Sequence, residues 1–146
     1  SLPEKYKEKI ALQTQVHYDT DNGCIGLISE AKYKGKEDIV PYLKEKGKPK
    51  VGDKPKCIVS SKTTTRERFK QDQAIAKHTK VYFVTDGVKS DITLSKINAN
   101  DGKERGIKFV IPGYVENSSQ KHWAEIRNRT LTVENMWDEI YNLLLN

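Results

Sequence analysis

The residues best suited to chemistry lie together between Cys57 and Phe69, in the run CIVSSKTTTRERF. The first five residues are typical of a short buried strand, which would deliver Lys62 at its end. Three threonines then turn the chain, and the charged triplet Arg66–Arg68 falls in the first turn of an expected helix. A lysine at the end of a strand can orient a water molecule and stabilise charge on a reacting phosphate.

The triplet Arg66-Glu67-Arg68 has the chemistry to read G·C pairs. Arginine can bond to guanine O6 and N7 together, and glutamate can accept a hydrogen bond from cytosine N4. Positions two apart lie about 200° apart on a regular helix, but at a helix start that enters a major groove both can reach base edges. We expect Thr64 and Lys70 to contact the DNA beside this triplet.

These residues resemble the PD-(D/E)xK nucleases, and within them the restriction endonucleases whose sites contain CC and GG. In that subgroup S-x-K replaces the usual E-x-K of the catalytic strand, and a basic-acidic-basic triplet follows. The segments Ser60–Lys62 and Arg66–Arg68 match both parts, and the resemblance covers residues 24–85. It implies an endonuclease that acts on double-stranded DNA in a prokaryotic cytoplasm, as a homodimer, with Ser60 and Lys62 in the catalytic site and one or two Mg²⁺ ions bound there.

Mg²⁺ requires carboxylate oxygens, which this strand does not supply. The resemblance implies one acid on the preceding strand, and the best candidate is Glu30, near the end of an expected strand over Cys24–Lys32. Asp21, in the turn before that strand, and Asp38, after it, are weaker candidates. Asp53 lies too close in sequence to the S-x-K strand to sit on a neighbouring paired strand.

The resemblance implies a second acid three to four helical turns after the lysine. At that distance the chain has Ile75 and Ala76, which cannot bind a metal ion. Asp72 is the nearest substitute and would need a shifted register.

A second E-x-K sequence leaves an alternative open. Glu30-Ala31-Lys32 also ends an expected strand, and Asp21 lies upstream as a partner acid. If that is the catalytic strand, Lys32 takes the role of the lysine, and Lys62 contacts DNA together with the arginine triplet. Glu30 is a metal ligand in both versions.

The composition is compatible with a DNA-binding domain. The net charge of +6 favours an anionic partner, although the lysines of residues 44–56 would also suit an ordinary exposed loop. No apolar run is long enough to span a membrane. We expect one nuclease domain over residues 1–146, either trimmed of its initiator or cut from a longer chain.

The expected elements make a mixed sheet flanked by helices, an α/β fold in keeping with a restriction-endonuclease-like core. Apolar and β-branched runs predict strands, turn residues predict the tight hairpin near Asn22-Gly23, and Thr132 predicts the start of an amphipathic C-terminal helix. The predicted helices cover residues 3–14, a segment after Asp38, residues 64–78 and the C-terminus; the predicted strands cover residues 24–32, 57–61, 81–85, 92–97 and 107–111.

Three functions fit these features. The first is the Mg²⁺-dependent endonuclease that the resemblance implies. The second is a catalytically degenerate nuclease fold that binds DNA without cutting it, which the missing acid at Ile75 and Ala76 favours. The third and most distant is a small RNA-binding or toxin-like nuclease, which would prefer single strands.

Overall fold

The computed structural model describes residues 2–14, 16–26, 38–62, 74–85, 106–110 and 130–146. Two short 3₁₀ helices lie at Glu4–Tyr6 and Lys44–Lys46, and one long α-helix lies at Val133–Leu145. The strands are β1 (Ile10–Thr14), β2 (Tyr18–Asp19), β3 (Cys24–Ile25), β4 (Asp38–Leu43), β5 (Cys57–Lys62), β6 (Lys80–Thr85) and β7 (Ile107–Val110).

Five strands form one mixed sheet in the order β1-β4-β5-β6-β7. β4 runs antiparallel to both β1 and β5, whereas β5, β6 and β7 run parallel to one another. Strands that are covered on both faces have nearly continuous apolar sequences. Strand β6 is of this kind, since Val81, Tyr82 and Phe83 are all buried. The α/β class expected from the sequence is therefore confirmed.

The sheet separates two apolar clusters, and β5 contributes to both. Ile58 lies in one cluster with the hairpin residues Tyr18 and Ile25, while its neighbours Cys57 and Val59 lie in the other. Successive residues of a strand point to opposite faces, so β5 is buried on both sides. Strand β5 is the third of five strands, so the residues at its carboxyl end lie in the middle of the sheet, between β4 and β6.

The C-terminal helix covers one face of the sheet. The Thr132 side chain accepts a hydrogen bond from Asn135 N at 3.1 Å, which confirms the predicted N-cap. The buried residues of the helix follow the helical period, and they are Met136, Trp137, Ile140 and Leu144.

The helix predicted over residues 3–14 is wrong. Only Glu4–Tyr6 is helical, as a single 3₁₀ turn, and Ile10–Thr14 forms strand β1. The apolar spacing of this segment is modest, and pairing with all five residues from Ile39 to Leu43 outweighs its weak helical preference.

The helix predicted after Asp38 is also wrong, because Asp38–Leu43 forms strand β4. The pairing between β4 and β5 covers Asp38 and Ile39, and Pro41 lies beyond it. A proline donates no ladder hydrogen bond and is tolerated where one side of its strand is unpaired; Pro41 pairs with Leu12 of β1 but has no partner in the β4–β5 register.

Several other predictions can be compared with the structure. The strands at 57–61, 81–85 and 107–111 and the hairpin near Asn22-Gly23 are confirmed, with small changes in their bounds. Of the strand predicted over 24–32, Cys24–Ile25 is observed, and 27–32 lies outside the described residues. Residues 74–76 are helical, whereas 64–73 and the strand expected at 92–97 also lie outside.

Candidate functional site

The carboxyl ends of β5 and β6 form the part of the sheet where the candidate residues meet. Lys62 is the last residue of β5 and pairs with Thr85, the last residue of β6. In α/β sheets, ligands bind outside the carboxyl ends of parallel strands, because the chain leaves the sheet there and the adjoining segments can surround a ligand. We call this region, with the positions of Asp38, Ser60 and Lys62, the Lys62 edge.

The register of β4 brings Asp38 to the Lys62 edge. Asp38 is the first residue of β4 and pairs with Ser60. Residues paired across an antiparallel ladder lie on the same face of the sheet, and so do residues two apart on one strand. The positions of Asp38, Ser60 and Lys62 therefore share one face at one edge.

Ser60 is a buried polar residue in the middle of the sheet. Its residue exposure is 0%, and within the described part of the chain its Oγ has no hydrogen-bond partner. An unpaired buried hydroxyl costs about 1–3 kcal/mol, so such groups are rare unless they have another use. Ser60 Oγ is therefore available for a hydrogen bond or a metal ion, and the residue paired with Ser60 is Asp38.

Asp21 lies at the opposite end of the sheet. Its hairpin packs where β6 begins: Tyr18 Oη lies 2.5 Å from Thr79 Oγ1, and a Cβ on Gly23 would fall 2.6 Å from His78 Cβ. The five steps of β6 from this end to Thr85 span about 17 Å. The structure therefore does not bring Asp21 to the Lys62 edge.

The remaining predicted site residues lie outside the described residues. They are Glu30 and Lys32 of the E-x-K sequence, Asp72, and the expected DNA contacts Thr64, Arg66, Glu67, Arg68 and Lys70. The position expected for the second acid is described, and Ile75 there is 0% exposed in the apolar cluster. Among the described residues, no group of three or more histidines, cysteines, aspartates or glutamates is placed to hold a metal ion.

The strongest charge cluster of the described chain lies on the other face, under the C-terminal helix. Glu139 Oε1 accepts from Lys80 Nζ at 2.9 Å, Tyr82 Oη at 2.8 Å and Lys108 Nζ at 2.7 Å. Burial opposes ionisation of Glu139, but the hydrogen bonds from these three donors outweigh it and lower the pKa to about 2. We call these four residues the Glu139 network; because its groups satisfy one another, it is suited to fixing the helix to the sheet.

A buried thiol in β5 is also perturbed. Burial raises the pKa of Cys57 to about 12, so this cysteine stays protonated at neutral pH. Because the thiolate is the reactive form, Cys57 is not a nucleophile. Both cysteines, Cys24 and Cys57, are free.

Asp38 is the acid whose place in the sheet was not foreseen from the sequence. Its segment, Asp38–Leu43, contains the β-branched pair Ile39-Val40 followed by Tyr42, which is typical of a strand. A helix was predicted after Asp38 instead, with Pro41 in its first turn, so the pairing with β5 was not foreseen. Treating Asp38 as the first residue of a strand would have made it a candidate on the strand that precedes β5.

Comparisons with protein-family models, curated proteins and solved structures found no match for this chain. None of the helices that the structure describes is long and apolar enough to cross a membrane.

Proposed function

We propose that this chain is a Mg²⁺-dependent endonuclease that hydrolyses phosphodiester bonds in duplex DNA at a G·C-containing site. The observation that carries the proposal is the pairing of Asp38 with Ser60, two residues before Lys62. This pairing supports the proposal because the S-x-K strand has no acid in its own sequence and a metal site needs one on a neighbouring strand.

In this proposal the Lys62 edge binds the metal ion and the reacting phosphate. Asp38 would supply one carboxylate ligand and Glu30 is the candidate for another, while Ser60 Oγ would offer a neutral oxygen at the position paired with Asp38. Mg²⁺ bound there would neutralise charge on the phosphate and lower the pKa of a bound water. The Lys62 ammonium group would orient the attacking water, which loses one proton to solvent as its oxygen bonds to phosphorus; the P–O ester bond breaks, and the leaving oxygen takes one proton from solvent.

Base reading is assigned to Arg66, Glu67 and Arg68. An extended chain spans at most about 3.6 Å per residue, so the triplet lies within about 22 Å of Lys62. Reading and cleavage would thus take place on one stretch of duplex. A palindromic site needs two copies of the site, and for that reason we propose a homodimer.

The first experiment measures cleavage of duplexes that contain G·C-rich palindromes, in Mg²⁺ and in EDTA. We expect cleavage by the wild type in Mg²⁺ alone, a loss of at least about a hundredfold in Lys62→Ala, and little change in the matched variant Lys32→Ala. The reverse result would place the catalytic lysine on the Glu30-Ala31-Lys32 sequence. Equal cleavage by wild type and both variants contradicts the assignment of either lysine.

A second candidate function is a DNA-binding module of the same fold without catalysis. The observation that favours it is Ile75, which is fully buried in the apolar cluster at the place where a second acid is expected. Salt-dependent binding of duplex DNA with no turnover in either Mg²⁺ or Mn²⁺ would support this function over the endonuclease.

A further inference from the structure

A basic groove lies at the end of the sheet opposite the Lys62 edge. Beyond Ile39, β4 continues beside β1 but is no longer paired with β5. The segment 44–56 connects β4 to β5 across the resulting gap and encloses a groove of about 530 Å³. Its lining includes Lys46, Lys48, Lys50, Lys54 and Lys56; we call it the lysine groove.

The charge of this segment is mostly uncompensated. Residues 44–56 hold six lysines against the two acids Glu45 and Asp53, a net charge of +4 within a chain of +6. Lys46 Nζ and Lys56 Nζ donate to the main-chain carbonyls of Leu144 and Leu143 at 3.5 and 3.4 Å. Because these acceptors are uncharged, they do not neutralise the two lysines. No ion pair between described residues involves a lysine of this segment.

The backbone that carries these lysines is held in place. Lys50 N donates to Asp53 Oδ2 at 2.8 Å and Asp53 N donates to Lys50 O at 3.0 Å, which closes a tight turn. Gly52 N and Ile25 O are joined at 2.8 Å, and Ile25 N and Asp53 O at 2.9 Å, which fixes the turn to strand β3. A surface that is already ordered loses less entropy when it binds a partner.

The chemistry of the groove fits the phosphates of a duplex. Lysine is a compact cation that binds phosphate oxygens as a point charge. Proteins that bind single strands add aromatic side chains on which bases stack, and among the described residues that line this groove Tyr42 is the only aromatic one. The lining therefore favours contact with the backbone over contact with unstacked bases.

The position of the groove relates it to the proposed cleavage site. β5 begins at Cys57, directly after the segment, and ends at Lys62, so the two ends of this strand lie about 17 Å apart. That distance corresponds to about five base pairs at 3.4 Å per step. This distance is too long for the lysine groove and the Lys62 edge to bind the same phosphate, but it is short enough for both to contact one duplex.

We propose that the lysine groove is a second contact with duplex DNA, which binds backbone phosphates about five base pairs from the Lys62 edge. The identity of the partner rests on the proposed function. The groove adds affinity that does not depend on base sequence and holds the duplex against the cleavage site.

The test uses the full chain and a short fluorescein-labelled duplex of random sequence, in EDTA so that no cleavage occurs. Anisotropy gives the Kd between about 50 and 200 mM KCl. The variant Lys48→Ala/Lys50→Ala/Lys54→Ala removes three exposed lysines of the groove. The control variant Lys7→Ala/Lys9→Ala/Lys77→Ala removes three exposed lysines that do not line it. Both variants lose the same net charge.

The groove variant is expected to bind about tenfold more weakly at the lower salt concentration, and the slope of log K against log[KCl] should fall by about 2 to 3. The control variant should lose less than one unit of slope. The charge-conserving variant Lys48→Arg/Lys50→Arg/Lys54→Arg should bind like the wild type, which separates a loss of charge from a loss of fold.

Three outcomes would overturn this inference: equal losses in the groove and control variants, no binding of duplex by the wild type, or tighter binding of a single strand that depends on the groove. Cleavage measured in Mg²⁺ on the same samples separates it from the proposed function. A wild type that cuts DNA with no effect of the groove variant overturns only the groove. A wild type that binds through the groove and never cuts overturns only the endonuclease.

Discussion

The Glu139 network and the Lys62 edge lie on opposite faces of the same sheet and use polar groups in opposite ways. In the network, one carboxylate oxygen accepts from two lysines and a tyrosine. At the Lys62 edge, Ser60 has a fully buried hydroxyl without a hydrogen-bond partner in the described part of the chain, beside the position of Asp38.

The difference separates groups that stabilise the fold from groups available for chemistry. Hydrogen bonds to charged groups contribute about 1.5–3 kcal/mol when both partners are present, whereas a buried group left unpaired costs stability. A polar group that costs stability is a better candidate for function than one that is fully paired. Four substitutions and one pH series test this comparison, from the largest expected effect to the smallest.

Asp38→Asn should have the largest effect and should act on cleavage alone. The amide keeps the size of the side chain but removes the negative charge proposed to bind the metal ion, so we expect cleavage in Mg²⁺ to fall by at least about a hundredfold. Asp21→Asn, at the far end of the sheet, is the matched control and should cut like the wild type. The two rates are measured on one duplex substrate; similar losses in both variants would remove Asp38 from the site.

Glu139→Gln should act on stability alone. The amide retains an acceptor but leaves Lys80 and Lys108 without their counter-charge, and we expect the free energy of unfolding to fall by about 1–2 kcal/mol, since these side chains are partly exposed. Urea unfolding measures the change, with the exposed Glu8→Gln as control. A drop in DNA cleavage at full stability would mean that the network belongs to the active site.

The stability of the wild type should also depend on pH through Glu139. Its pKa falls from an ordinary value of 4.5 to about 2 on folding, so its contribution is complete well above pH 4.5 and is lost as the pH falls towards 2. Urea unfolding of wild type and Glu139→Gln between these limits should show a smaller loss in the variant. Parallel curves for the two proteins would contradict the lowered pKa.

Ser60→Ala and Thr132→Ala remove one hydroxyl each and should have the smallest effects, with different outcomes. Thr132 Oγ1 accepts from Asn135 N, so its loss should cost about 1 kcal/mol of stability. Among the described residues Ser60 Oγ has no such partner, and its removal should change the free energy of unfolding by less than about 1 kcal/mol or raise it. Thermal unfolding of both variants checks this contrast; a larger loss for Ser60→Ala would show that its hydroxyl is bonded in the native protein.

Local sequence patterns were sufficient for the elements whose apolar residues form a continuous run or follow the helical period. The buried runs of β5 and β6 and the helical spacing from Met136 to Leu144 each carry their own signal. The strand that ends at Lys62 could be predicted for the same reason. The pairing of Asp38 with Ser60 could not, because a helix was predicted for the segment that begins after Asp38.

The sequence by itself determined the α/β class, the C-terminal helix with its Thr132 cap, and the end of β5 at Lys62. Tertiary structure alone decided that Ile10–Thr14 is a strand, that Asp38 pairs with Ser60, and that Asp21 lies at the far end of the sheet. The physical reason is the range of the interactions. Helix periodicity and caps act within a few residues, whereas the register between β4 and β5 joins residues more than twenty positions apart, through hydrogen bonds that no local pattern encodes.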